Sequence, residues 1–154
     1  MLSIHILCVG KLKERFYIDA AQEYQKRLSP YCKLTLTELP EEKLPKNPSP
    51  AQIQAALSRE AQAIRAKIPP RFKRVALCVE GRERSSEELS RLVTAENLCF
   101  LIGGSYGLDD SLKAEAADRL SMSPMTFPHH LARVMLLEQI YRGFKIQEGS
   151  SYHK

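Results

Sequence analysis

The amino-acid sequence predicts an α/β fold, a mostly parallel sheet with helices on both faces. Two observations carry this. Apolar runs of strand length alternate with stretches of helical spacing along the whole chain, the pattern of repeated βαβ units. The later runs are nearly continuous in apolar residues, as strands covered on both faces must be. At 154 residues and 44% hydrophobic content, a single domain over 1–154 can bury an adequate core.

Residues 2–9 form the first strand, closed by Gly10. Residues 16–28 have helical spacing through Ile18, Ala21, Tyr24 and Leu28, ahead of Pro30. Residues 33–39 alternate Leu34 and Leu36 with Thr35 and Thr37, a strand of period two. Residues 40–50 hold four prolines among mixed charges and read as a loop. Ser49-Pro50 opens a helix through Ile53, Leu57, Ala61 and Ile64, which Pro69-Pro70 ends.

Residues 74–79 form a strand closed by Glu80-Gly81, and Ser85-Ser86-Glu87-Glu88 caps a helix reaching Val93. A buried strand over 98–102, a helix over 108–117 and a short strand over 120–125 come next. Pro128 then starts a long helix to about Ile146. There is no internal repeat and no low-complexity tract.

The net charge of +5 and a pI near 9.1 favour anionic partners, nucleic acid first, though many ordinary enzymes are as basic. Lys11, Lys13 and Arg15 follow the first strand, and Arg71, Lys73 and Arg74 precede a later one. Either cluster can track phosphates or be a solvated strand end. No apolar run reaches membrane-spanning length, and the start lacks the features of a secretory signal, so the cytoplasm is the expected compartment. Cys8, Cys32, Cys78 and Cys99 are isolated and read as reduced, packed thiols, so neither a metal site nor a disulfide frame is expected.

Ligands of open parallel sheets gather beyond the carboxyl ends of the strands, here around 77–81, 102–107 and 122–127. Gly103, Gly104 and Gly107 make the middle segment the clearest candidate. Their spacing fits neither a Walker A loop nor the dinucleotide fingerprint, and a tight strand-to-helix turn explains it equally well. On the last helix, Glu138 and Arg142 are four residues apart with Tyr141 beside them, either a helical ion pair or part of a site. The apolar set Val134, Leu137, Ile140 and Phe144, with Met135 and Leu136, covers more than one stripe, so the helix is expected to meet a second subunit.

Four motifs now stand in order: Leu-Ile-Gly-Gly-x-x-Gly-Leu, Phe-Pro-His-x-Leu-x-Arg-Val, Leu-Leu-Glu-Gln-x-Tyr-Arg and a final Tyr-His-Lys. In order and spacing they resemble the RlmH family of ribosomal large-subunit pseudouridine N3-methyltransferases. The likeness runs from the first strand to the last residue and is most specific over the final fifty or so positions. It implies the SPOUT class: an α/β-knot with a C-terminal trefoil knot, working as a homodimer. It implies S-adenosylmethionine as methyl donor, held by Leu77, by Gly103 and Gly104, and by Met122, Ser123, Pro124, Met125, Thr126 and Phe127. It implies a pseudouridine of 23S rRNA as substrate, met on the assembled ribosome.

For the proton at N3, the resemblance offers Glu138 and His153, with His129 third. Arg142 and Arg133 can hold phosphate or favour the anionic base, and Tyr152 can stack on the base or hydrogen-bond to it. The shared tail suggests a pocket completed by the partner subunit. Ser151 replaces the proline that many relatives carry before the tyrosine, which predicts a looser tail. A non-catalytic RNA- or ribosome-binding module is the alternative, and it predicts no uptake of S-adenosylmethionine. An ordinary Rossmann enzyme would need glycines after the first strand, where the chain reads Val-Gly-Lys-Leu-Lys.

Overall fold

The computed structural model describes residues 1–154. Strands and helices alternate strictly: β1 Ser3–Val9, α1 Arg15–Leu28, β2 Lys33–Leu39, α2 Pro50–Arg65, β3 Lys73–Glu83, α3 Ser86–Val93, β4 Leu98–Ile102, α4 Asp110–Glu115, β5 Asp118–Ser121 and α5 His129–Glu148. All five strands pair in parallel in the order β2-β1-β4-β3-β5. Every residue of β4 is buried.

The side-chain period of two splits the core into two layers. Ile4, Ile6 and Cys8 of β1, with Phe100 of β4, face α1, α3 and α5, meeting Leu28, Val93, Leu136 and Ile140. Leu7 and Val9, with Leu101, face the other way, onto Ala61 and Ile64 of α2 and Leu112 of α4. The helices therefore cover both faces of the sheet.

Caps set the helix starts. Ser49 accepts from the Gln52 N–H at 3.1 Å while the Gln52 side chain accepts from the Ser49 N–H at 2.8 Å. Ser85 and Glu88 repeat this box at α3, and each box contributes about 1 kcal/mol. At the far end of α5, Gly149 adopts φ +78° and closes the helix with a left-handed cap. Close packing of α5 on α3 needs Gly143, where a Cβ would lie 2.8 Å from Val93 Cγ2.

Arg133 pins α5 to the sheet. Its side chain is fully buried; Nη1 donates to Glu38 Oε2 at 2.6 Å and Nη2 to the Gly10 carbonyl at 3.0 Å. Glu38 Oε2 also accepts the Leu12 N–H at 2.9 Å. Burial pushes the Glu38 carboxyl up, but Arg133 and the Leu12 N–H outweigh it and hold it below its ordinary value.

Four boundaries differ from the sequence expectations. β3 runs on to Glu83 because the register against β5 shifts between Leu77 and Arg82, letting the strand resume pairing past an irregularity. β5 is Asp118–Ser121, not 120–125: beyond it, Ser121 Oγ donates to the Ser123 carbonyl and the Met125 N–H to Ser123 Oγ, so local bonds make a loop. α4 starts only at Asp110 because the Asp109 side chain caps it through the Ser111 N–H. α5 extends to Glu148, where Gly149 stops it.

Glu38→Ala strands a buried guanidinium and is expected to lower unfolding stability by about 3 kcal/mol in urea titrations at neutral pH. Arg27→Ala, which breaks an exposed pair with Glu23, should leave the urea midpoint close to that of wild type. Because the Glu38 carboxyl is depressed below 4.5, its contribution is full above that pH. It fades as pH falls through the lower folded value, so wild-type and Glu38→Ala stabilities should converge in acid.

Candidate active site

The carboxyl ends of β3, β4 and β5 open onto one cleft of about 780 Å³, within the range of small-molecule sites. Its wall draws on Leu77 to Glu80 of β3, residues 102–108 from the end of β4 onward, Met122, Ser123, Met125, Thr126 and Phe127 after β5, Lys113 of α4, and His129 and Ala132 of α5. Leu77, Gly103 and Gly104 thus lie in one wall with the 122–127 loop, and Pro124 alone of the proposed donor-binding set is outside it. Leu77, Ile102, Leu120, Met122 and Phe127 give the cleft an apolar lining, and a Cβ on Gly107 would meet nothing within 4 Å. The fit to a flat purine with a charged, flexible arm is good: apolar side chains for the ring, bare backbone for hydrogen bonds.

The glycines are explained in part by the loop itself. A Cβ on Gly103 would collide with the Gly107 backbone, and Gly107 donates its N–H to the Gly104 carbonyl at 3.0 Å with φ +79°. The turn closes on itself before it meets any ligand. Sequence reasoning missed Glu80 and Lys113, paired at 2.6 Å in the cleft wall, and the half-exposed Tyr106. Burial lowers the Lys113 ammonium, but Glu80 more than restores it and the net shift is upward. No local pattern brings a β3 acid to an α4 lysine; the sheet order does.

A second cluster forms where the tail folds back on α5 and α3. Arg142 donates to Glu138 Oε1 at 3.2 Å and Oε2 at 2.9 Å, Tyr152 Oη–H to Glu138 Oε2 at 2.9 Å, and Gln139 to Oε1 at 2.8 Å. The carboxylate is fully engaged. The Arg142 guanidinium also covers the Tyr152 ring, 4.9 Å from its centroid. His153 sits between Arg142 Nη1, 3.0 Å from Nδ1, and Glu87 Oε1, 2.7 Å from Nε2. A guanidinium can only donate, so Nδ1 accepts and the imidazole proton belongs on Nε2, facing Glu87. The tail contacts Glu87, Glu138 and Arg142 through Tyr152 and His153.

Glu138, Arg142, Tyr152 and His153 are therefore brought together, while His129 and Arg133 are not part of that group. His129 lines the cleft, and burial together with His130 lowers its imidazole. Arg133 corrects the expectation of a phosphate-holding arginine: it is 1% exposed and both its amino groups are spent on Glu38 and Gly10. Glu138 lies nine residues beyond His129, about 13 Å along α5 and about half a turn around it. Cleft and carboxylate cluster cannot face one another within one chain. Of the basic clusters, Lys11 and Lys13 are exposed at the carboxyl rim, whereas Lys73 and Arg74 start β3 at the opposite edge, paired with Glu96 and Glu115.

Residues 2–153 match the family model described as "Predicted SPOUT methyltransferase". This chain belongs to the SPOUT methyltransferase family. Similar proteins include one named "Ribosomal RNA large subunit methyltransferase H" from Streptococcus equi subsp. zooepidemicus (strain MGCS10565), 43% identical over 99% of this chain and 100% of its own. One of the same name from Lactobacillus delbrueckii subsp. bulgaricus (strain ATCC BAA-365 / Lb-18) is 42% identical over the same shares. A solved structure described as "a probable methylase family protein from Haemophilus influenzae Rd KW20" shares the fold at TM-score 0.54 and 14% identity, covering 98% of this chain and 70% of that one. The SPOUT methyltransferase has no helix long and apolar enough to cross a membrane, and no group of three or more His, Cys, Asp or Glu side chains placed to hold a metal ion.

Burial, and then the hydrogen bond to Glu138, push the Tyr152 phenol up to about 12. A raised folded value means the docked tail gains stability that is whole below about pH 10 and lost toward 12. Absorbance titration at alkaline pH should show one late-ionising tyrosine, absent from Tyr152→Phe; identical curves would remove the Tyr152–Glu138 contact.

Proposed function

We propose that the protein methylates N3 of a pseudouridine in 23S rRNA with S-adenosylmethionine, on the assembled ribosome and as a homodimer. The carrying observation is the separation of two half-sites: a cleft built by the irregular stretch of β3 and the loops after β4 and β5, and a polar tail cluster about half a turn away on α5. Two-fold pairing along α5 presents each cleft to the partner's tail. Leu131, Val134 and Met135, half-buried apolar residues on α5, suit such a contact. The full-length relatives named for large-subunit rRNA methylation support the substrate, and the knot that the family resemblance implies fits these segments meeting in one cleft.

When bound, S-adenosylmethionine supplies a methyl group already electrophilic on a sulfonium. The chain must align it and remove one proton. Leu77, Met122 and Phe127 would bed the purine, and the 103–107 backbone would offer hydrogen-bonding groups along the cleft wall. The N3 proton passes to the Tyr152 oxygen while the phenol proton moves to Glu138, which frees the N3 lone pair to take the methyl group as the methyl–sulfur bond breaks and its electron pair returns to sulfur. Arg142 holds that carboxylate through two hydrogen bonds, and its charge favours the anionic base. His153, neutral and held by Glu87, orients Arg142 from its far side. Exposed Lys11 and Lys13 at the carboxyl rim offer contacts to RNA phosphates.

Mass spectrometry of rRNA from cells with and without the gene tests the reaction: one pseudouridine should lose a methyl group. An unchanged methylation map would overturn the proposal. Glu138→Gln and Tyr152→Phe should each cut turnover about 100-fold or more with donor affinity preserved. For the shared site, a cleft-blocked Gly103→Val chain mixed with a chain lacking residues 152–154 should regain about a quarter of wild-type activity through heterodimers. No gain over either parent would exclude a site built from two chains.

A further inference from the structure

We propose that Glu41 is a positioning residue for donor binding: its carboxylate holds the glycine loop over 103–107 in the shape the donor meets. The inference rests on the reading that the cleft takes S-adenosylmethionine. Three glycines in five residues leave this segment with much backbone freedom, and fixing it on binding would cost affinity. The loop's own closure is a single bond, from the Gly107 N–H to the Gly104 carbonyl. From outside, the Ser105 N–H donates to Glu41 Oε1 at 3.0 Å. A Cβ on Gly104 would lie 2.6 Å from that same oxygen, so the carboxylate rests flat against bare backbone.

Glu41 reaches the loop from behind. It comes from the connection between β2 and α2 and lines a separate cavity of about 210 Å³, which shares only Ser105 and Tyr106 with the donor cleft. Its segment is itself anchored: the Glu42 N–H donates to the buried Glu60 carboxylate at 2.9 Å, and Arg59 pairs with Glu42. The carboxylate therefore transmits the position of α2 to the cleft wall without touching the donor. A charge-assisted bond to a backbone N–H is the strong kind, suited to holding a loop before its ligand arrives.

Calorimetry with S-adenosylmethionine and steady-state kinetics on ribosomes, applied to wild type, Glu41→Ala and Glu41→Gln, decide the matter. Glu41→Ala should raise donor Kd and KM about tenfold, with kcat at saturating donor within about twofold. Glu41→Gln keeps an oxygen for the Ser105 N–H and should return within about threefold of wild type. Melting temperatures should be alike, because Glu41 is exposed. Unchanged donor affinity in Glu41→Ala would overturn the inference, as would a Gln variant as weak as Ala. If affinity and melting temperature fall together and Gln restores neither, Glu41 is a structural strut and the proposal is lost. If wild type itself takes up no donor, the functional reading fails instead.

Discussion

One guanidinium sets the geometry on which the site depends. The apolar side chains of α5 bury it against the sheet, but hydrophobic contact is non-directional and would tolerate sliding or rolling. Arg133 removes that freedom, because its two amino groups reach the β2 carboxylate of Glu38 and the β1 carbonyl of Gly10. With the helix fixed in translation and rotation, His129 must sit at the cleft and Glu138 must point away from it. Burying this charge is costly without partners; its partners lie at the carboxyl ends of adjacent strands, where the sheet leaves room for them.

The cleft is a consequence of that same edge. The irregular stretch of β3 and the loops after β4 and β5 meet there, joining apolar side chains to the bare backbone of the glycine loop. The 122–127 segment stays a loop because Ser121 and Ser123 satisfy its polar groups locally. The 103–107 segment turns on its own glycines. Both are therefore shaped before any ligand arrives, and α2 supports one of them through Glu41.

The tail cluster has the opposite character. All four acceptor positions of Glu138 are engaged by Gln139, Arg142 and Tyr152, and His153 is held from both sides. In the free chain the reactive groups satisfy one another. An RNA base can enter only by exchanging some of these bonds for its own, which favours a substrate carrying matching donors and acceptors.

The sequence by itself determined the alternation, the sheet class, the glycine loop and the pairing of Glu138 with Arg142, because each follows from local periodicity, backbone sterics or four-residue helical spacing. Its motifs also placed Tyr152 and His153 with that pair. It misjudged Arg133, since an arginine on a helix reads the same whether it meets RNA or a carboxylate 95 residues away. Strand order, the Glu80–Lys113 wall, the Glu41 tether and the opposed faces of α5 were decided by tertiary structure alone. These join residues far apart in the chain, and only the parallel pairing of β2-β1-β4-β3-β5 brings them within bonding distance.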